Sequence, residues 1–211
     1  MPSAPADVAT RDRLVAATRR VVEAAPGPDS GAPSVRQIAA QAGVAPTALY
    51  WHFGSRRGLL DAVLDALVAD LLPLEVRGST PRRRVLSLAR SMRAQVKAGE
   101  PAHRLARELG RVAELSVPAQ VALAREISAA GLTGEAASRA VRAILYVVGG
   151  FILVEDHHRQ RPAGDLTSQE LWRTVDDPDV APDLRTAMTG AQDDDALFSY
   201  TVGHLVDAIV P

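Results

Sequence analysis

The sequence predicts an all-α protein, and three observations carry that prediction. Apolar residues recur at spacings of three and four through nearly every long segment. No run alternates as a strand would, and no internal repeat is present. Of the 211 residues 47% are apolar, which is enough for a real core and argues against a disordered chain.

The elements follow in order. Leu14, Ala17, Val21, Val22 and Ala25 share one helical face, with Arg11, Arg13, Arg19 and Arg20 on the others. Pro26, Gly27, Pro28, Gly31 and Pro33 stop that helix and form a loop. Ser34 suits the N-cap of a short second helix whose Ile38, Ala39 and Ala42 turn inward. Gly43 sits where that helix must end, and Val44 plugs the corner. Pro46 fits the first turn of a third, very short helix reaching Trp51 and His52.

Gly54 breaks the chain again, and Ser55 caps a longer helix. Its Leu59, Leu60, Val63, Leu64, Leu67, Val68 and Leu71 form a broad apolar stripe before Pro73 ends it. Further helices are expected near Arg82–Lys97, Ala102–Glu114, Pro118–Ala130 and Glu135–His158. Residues 159–192 are rich in Pro, Gly and Asp and read mostly as loop, with a turn of helix near Trp172. Asp193–Asp195 place negative charge at the start of a last helix, Ala196–Val210. That helix is expected to bury Leu197, Phe198, Val202, Leu205, Val206 and Ile209.

Composition excludes several functions. Zero cysteine removes disulfides, zinc fingers, iron–sulfur clusters and thiol catalysis together. The longest near-continuous apolar run, Ala143–Val154, falls short of the roughly 18 residues of a membrane span. The polar N-terminus lacks the apolar stretch of a secretory signal, so a soluble cytoplasmic protein with no membrane partner is expected. No nucleophile elbow, phosphate loop or HExxH motif supports an enzyme. The net charge of −1 hides a division. Arg11 to Arg57 contains seven arginines against three acids, whereas Glu155 to the end contains twelve acids against four arginines. Such asymmetry points to a polyanion partner at the N-terminal end.

The informative stretch runs from Ser34 to Phe53. Two short helices around a Gly-containing turn match the helix-turn-helix pattern, whose second helix enters the major groove. Gly43 supplies the positive φ of the turn. Pro46, Thr47 and Ala48 are small enough to approach base edges, while Leu49 and Phe53 anchor the inner side. Tyr50 and His52 can donate to phosphates that fix the register, and Trp51 stands with them among the DNA-facing residues.

This region resembles the DNA-binding domain of the TetR family of transcriptional regulators. The matching residues are Ile38-Ala39, Gly43-Val44, Leu49-Tyr50-Trp51-His52-Phe53, Arg56 and Leu59-Leu60. The LYWH and RRGLLDA variants lie closest to the tetracycline-repressor branch of that family. The resemblance implies that Arg36 reads a guanine, that Pro46, Thr47 and Ala48 face bases, and that Tyr50 and Arg56 hold phosphates. The recognition face has no long polar side chain, so thymine-methyl contacts are favoured over bidentate hydrogen bonds from that helix.

By the same resemblance, residues 1–65 form a helix-turn-helix DNA-binding domain and residues 66–211 an α-helical ligand-binding and dimerisation domain. The Glu135–His158 helix and the last helix would pair with their copies in a homodimer. The apolar residues Val141, Ile144, Leu145, Val148, Ile152 and Leu153 exceed what one inward face needs, and Gly149-Gly150 suits a close helix approach. His103 falls where that branch has a metal-binding histidine, and Glu155 where it has a carboxylate in the metal's outer shell. Leu72 and Val85 stand where it grips its drug with polar side chains, which favours a largely apolar inducer. His157 and His158 point apart on a helix and read as a solvated end, so no metal site and no cofactor are assigned. The expected function is a repressor released from a palindromic double-stranded DNA operator by a small molecule, with the Ser55–Leu72 helix as the lever. The alternative is a helical small-molecule binding or sequestering protein with vestigial DNA binding.

Overall fold

The computed structural model describes residues 5–25, 31–71, 73–162 and 164–210, with side chains from residue 8 onward. Among these, eleven helices and no strand are found, so the all-α expectation is met. Two cores organise them. The first joins α1 (Pro5–Glu23), α2 (Val35–Ala42), α3 (Pro46–Phe53) and α4 (Arg56–Ala69). Leu14, Ile38, Leu49, Leu59, Leu60 and Leu64 meet there with almost no exposure. Thr18 is also fully buried, and its hydroxyl is satisfied by donating to the Leu14 carbonyl at 2.7 Å. The predicted loop residues 26–30 lie outside the described residues.

The second core joins α5 (Pro81–Ala98), α7 (Val112–Ala129), α8 (Gly134–Gln160) and α11 (Asp194–Ile209). Leu88, Leu123, Ile127, Ile144, Phe198 and Val206 fill it. Phe198 meets Phe151 edge-on, with ring centroids 5.2 Å apart. Between the two cores runs α6 (Glu100–Leu109), which sends Ala102, Leu105, Ala106 and Leu109 into the first one.

Two helix boundaries differ from the sequence reading, and one helix is added. The Ala102–Glu114 segment is interrupted because Gly110 adopts φ 72°, a left-handed C-cap that turns the chain after α6. The next helix then starts at Val112, and Pro118 lies inside it instead of opening it. A proline there costs a hydrogen bond to the preceding turn, but Pro118 and Glu114 are both exposed, so water can take the freed carbonyl. Within 159–192 the turn near Trp172 is present as α9 (Ser168–Trp172), and α10 (Pro182–Met188) is an additional helix opened by Pro182. Leu197, expected inside, is exposed on α11.

Helix α8 is long and apolar enough to cross a membrane by length and composition, although the run of consecutive apolar residues inside it is short. Only one stripe of it faces the second core. Tyr146 is 78% exposed and Leu153 64%, so much of its apolar surface is unused by the chain itself.

Candidate nucleic-acid interface and effector cavity

The sequence between Ser34 and Phe53 builds its geometry locally. Ser34 Oγ accepts from the Gln37 N–H, and Gln37 Oε1 accepts from the Ser34 N–H at 2.8 Å, a complete capping box. Gly43 takes φ 65°, and the Val44 N–H closes on the Ala39 carbonyl at 3.1 Å. Pro46 then opens α3 without sacrificing a donor. Gly58 holds α4 against the end of α3, because a Cβ there would lie 2.5 Å from the Phe53 carbonyl oxygen.

This frame presents one face outward. Leu49 is fully buried and fixes the roll of α3. Pro46, Thr47 and Tyr50 are exposed, Trp51 is 79% exposed, and Ala48 and His52 are partly exposed. Arg36 on α2 is exposed and forms no ion pair among the described residues. An indole left in water on a short, small-faced helix, with a free guanidinium exposed on α2, leaves a surface with unmet contacts.

Arg56 is placed differently from these residues. Its Nε donates to the Pro33 carbonyl at 3.0 Å and its Nη2 to the Ala32 carbonyl at 2.7 Å, with Glu108 at 3.4 Å. In this conformation it ties the segment before α2 to α4 and α6.

A cavity of about 560 Å³ opens among α5, α6, α7 and α8. Its size suits a drug-sized molecule. Most of its wall is apolar, from Val96, Leu115, Leu145 and Ile152 among others. Of the four residues proposed for a ligand from the sequence, His103 lines it. Its Nδ1 lies 2.9 Å from the Gly99 carbonyl, so Nδ1 carries the proton and Nε2 is an acceptor. Burial pushes the imidazole below its ordinary range, and Arg107 adds to that, which keeps the ring neutral near pH 7.

Val85 and Glu155 do not line this cavity. Val85 is fully buried in the second core. Glu155 is buried against Arg93, whose Nε donates at 2.8 Å, and Lys97 Nζ lies 2.9 Å from its other oxygen. Burial alone would push the Glu155 carboxyl up, but the Arg93 and Lys97 partners outweigh it and hold it below the usual carboxylate range. Its charge is spent on tying α5 to α8, and Arg93 Nη1 extends the tie to Asp195 of α11 at 2.6 Å. Leu72 lies outside the described residues. No cluster of three or more metal-ligating side chains occurs among the described residues, so His103 has no such set around it.

Sequence reasoning did not find the role of α6. Glu100, His103 and Arg107 line the cavity, while the opposite side of the same helix is in the first core. Arg104 is buried; it donates to the Val22 carbonyl of α1 and pairs with Glu100 at 3.1 Å. Glu108 Oε2 accepts from the Ala32 N–H at 2.6 Å. Leu109 receives Arg57 Nη2 on its carbonyl at 2.9 Å, and Arg111 bridges to Asp61 and Asp65 of α4. The amphipathic period could have shown the inner stripe, but not the partners up to 82 residues away.

A helix-turn-helix head with an outward recognition face, attached through a shared helix to a helical bundle with an open cavity, is the arrangement of a DNA-binding regulator. Residues 31–63 match the family model described as bacterial regulatory proteins, tetR family. The tetracycline repressor protein class A from transposon 1721 of Escherichia coli is 29% identical over 180 residues, which cover 83% of this chain and 80% of that protein. The structure of a TetR-family transcriptional regulator from Streptomyces coelicolor superposes with TM-score 0.66 at 21% identity, covering 95% of this chain and 97% of the other. That of the S. coelicolor TetR family protein ActR in complex with actinorhodin gives 0.65 at 20% identity, covering 94% and 95%. By these matches the chain is similar, in its head and along most of its length, to the TetR family of bacterial transcriptional regulators. Its members are in general transcription factors and not enzymes.

Proposed function

We propose that this protein is a homodimeric repressor that leaves a palindromic operator when a small molecule fills the cavity between α5 and α8. The observation that carries this reading is α6, one side of which lines the cavity while the other is part of the core that holds α1 and α4. A molecule that fits the cavity better in one setting of α6 biases the head, and release is the population shift that follows. Helix α4 then acts as the lever together with α6. The division near residue 65 separates the DNA-reading residues from the bundle, although α6 packs back across it.

In this reading Arg36, Pro46, Thr47, Ala48, Tyr50, Trp51, His52 and Arg56 form the DNA contact set. Thr47 and Ala48 offer methyl groups to thymine, Arg36 supplies the hydrogen-bonded reading of a base, and Tyr50 and His52 hold phosphates. Arg56 would join them only by exchanging its carbonyl partners for a phosphate. The second subunit supplies what α8 and α11 lack. Tyr146, Leu153, Val154, Leu197 and Tyr200 are all exposed, and a groove of about 720 Å³ runs between these helices. Covering that face with a copy forms a four-helix interface and accounts for the apolar character of α8 without a membrane. An added Cβ at Gly150, which lines this groove, meets nothing within 4 Å, so the close helix approach expected of the glycine pair is made there across the dimer, while Gly149 lines the cavity. A cytoplasmic location follows from the same function.

The test is fluorescence anisotropy on DNA flanking the protein's own gene against scrambled DNA, at a stated near-physiological salt. Selective binding at two chains per site is expected. Equal weak binding to every fragment, including sites offered by genome-wide selection, would favour a sequestering protein instead.

A further inference from the structure

The cavity walls are apolar, but the charges along them do not cancel. We propose that the effector is an apolar molecule carrying one acidic group, a carboxylate, sulfonate or phenolate, that seats against Arg142. The inference rests on reading this cavity as the effector site.

Three guanidiniums line the cavity, Arg107, Arg142 and Arg159, together with two carboxylates, Glu100 and Asp156. Glu100 is held by the buried Arg104, which is not in the lining. Asp156 is shared, with Arg107 at 3.8 Å and Arg159 at 3.0 Å. Arg142 is exposed and forms no ion pair among the described residues, so none of their carboxylates competes for it. One carboxylate therefore balances three guanidiniums. His103 is held neutral and adds neither sign. An apolar cation meets net repulsion in such a site. A neutral apolar molecule gains from the walls but leaves the positive excess unanswered. An apolar anion uses both: the guanidinium of Arg142 pairs with its acidic oxygen, bidentately where that group is a carboxylate or sulfonate. The neutral His103 Nε2 gives a second polar point, an acceptor suited to a ligand hydroxyl.

Two dyes with the same ring system separate charge from apolar fit: anilinonaphthalene sulfonate and the uncharged phenylnaphthylamine. Fluorescence titration of the full-length protein should show the sulfonate binding about tenfold tighter, which is what a charge-assisted contact supplies. Arg142→Gln should erase that difference and leave the neutral dye unchanged, while Arg142→Lys keeps part of it. Arg142 is on the surface, so the core is untouched. Gly149→Leu reports the location, because Gly149 lines the cavity and its Cβ position is open. This substitution should weaken both dyes. Equal affinity for the two dyes, or an Arg142→Gln effect shared by both, would overturn the acidic-ligand inference and leave the effector cavity standing. Absence of any dye binding sensitive to Gly149→Leu would remove the effector reading itself.

Discussion

The head and the bundle differ in how fully one chain satisfies them. In the head, every device that shapes α3 is supplied within about twenty-five residues: the Ser34 capping box, the left-handed Gly43, Pro46, the buried Leu49 and the close approach at Gly58. In the bundle, α8 leaves Tyr146, Leu153 and Val154 exposed, and a cavity of about 560 Å³ opens among it, α5, α6 and α7. The head is a finished surface. The bundle leaves an apolar face and a cavity open, and in the proposed function a second subunit and a bound molecule fill them.

The largest effect is expected at Leu49. Leu49→Ala empties a fully buried site in the smaller core and should cost about 2–5 kcal/mol. Thermal unfolding should show the head melting first, with the bundle retained. The matching change in the bundle is Val154→Glu on the exposed face of α8. If that face is the dimer contact, sedimentation should show dissociation equivalent to about 2 kcal/mol or more, with the secondary structure intact. A dimer of unchanged strength would move the interface elsewhere.

The head was legible because its signals are local. Caps, a turn glycine and a period of three to four need only neighbouring residues, and α2 and α3 appear where those signals place them. The bundle was legible as helices but not as a site. Gly110 and Pro118 lie eight residues apart, and either could have ended a helix; the chain breaks at Gly110, which takes φ 72°, and Pro118 is accommodated inside α7. Val85 and Glu155 were chosen by position in a resemblance, yet one fills a core and the other pairs with Arg93, 62 residues distant. Nothing in spacing reveals such a pair. His103 does line the cavity, but the unpaired state of Arg142 emerges only when every acid around it is accounted for.

Finer changes sharpen the contrast. Arg36→Ala should cost about 1–3 kcal/mol on the operator, chiefly as lost discrimination at one base pair, while dimer strength stays constant. Competition anisotropy with single-base operator variants measures it. The smallest effect concerns His103. Its pKa is depressed in the folded state, so the folded protein favours the neutral ring. The stability this contributes is present above about pH 6.5, the unfolded value, and is lost as pH falls through the folded one. Unfolding curves at pH 7.5 and 5.5 should show the parent protein losing more stability than His103→Gln.

In the proposed function α6 connects the cavity to the DNA-reading head. Hydrogen exchange with and without operator DNA tests it most directly, because α6 touches no base in this account. Slowed exchange is expected over residues 34–53, where DNA covers the surface, and also over 100–109, through Arg104, Glu108 and the shared core. Protection confined to residues 34–53, with 100–109 exchanging at the free rate, would contradict it.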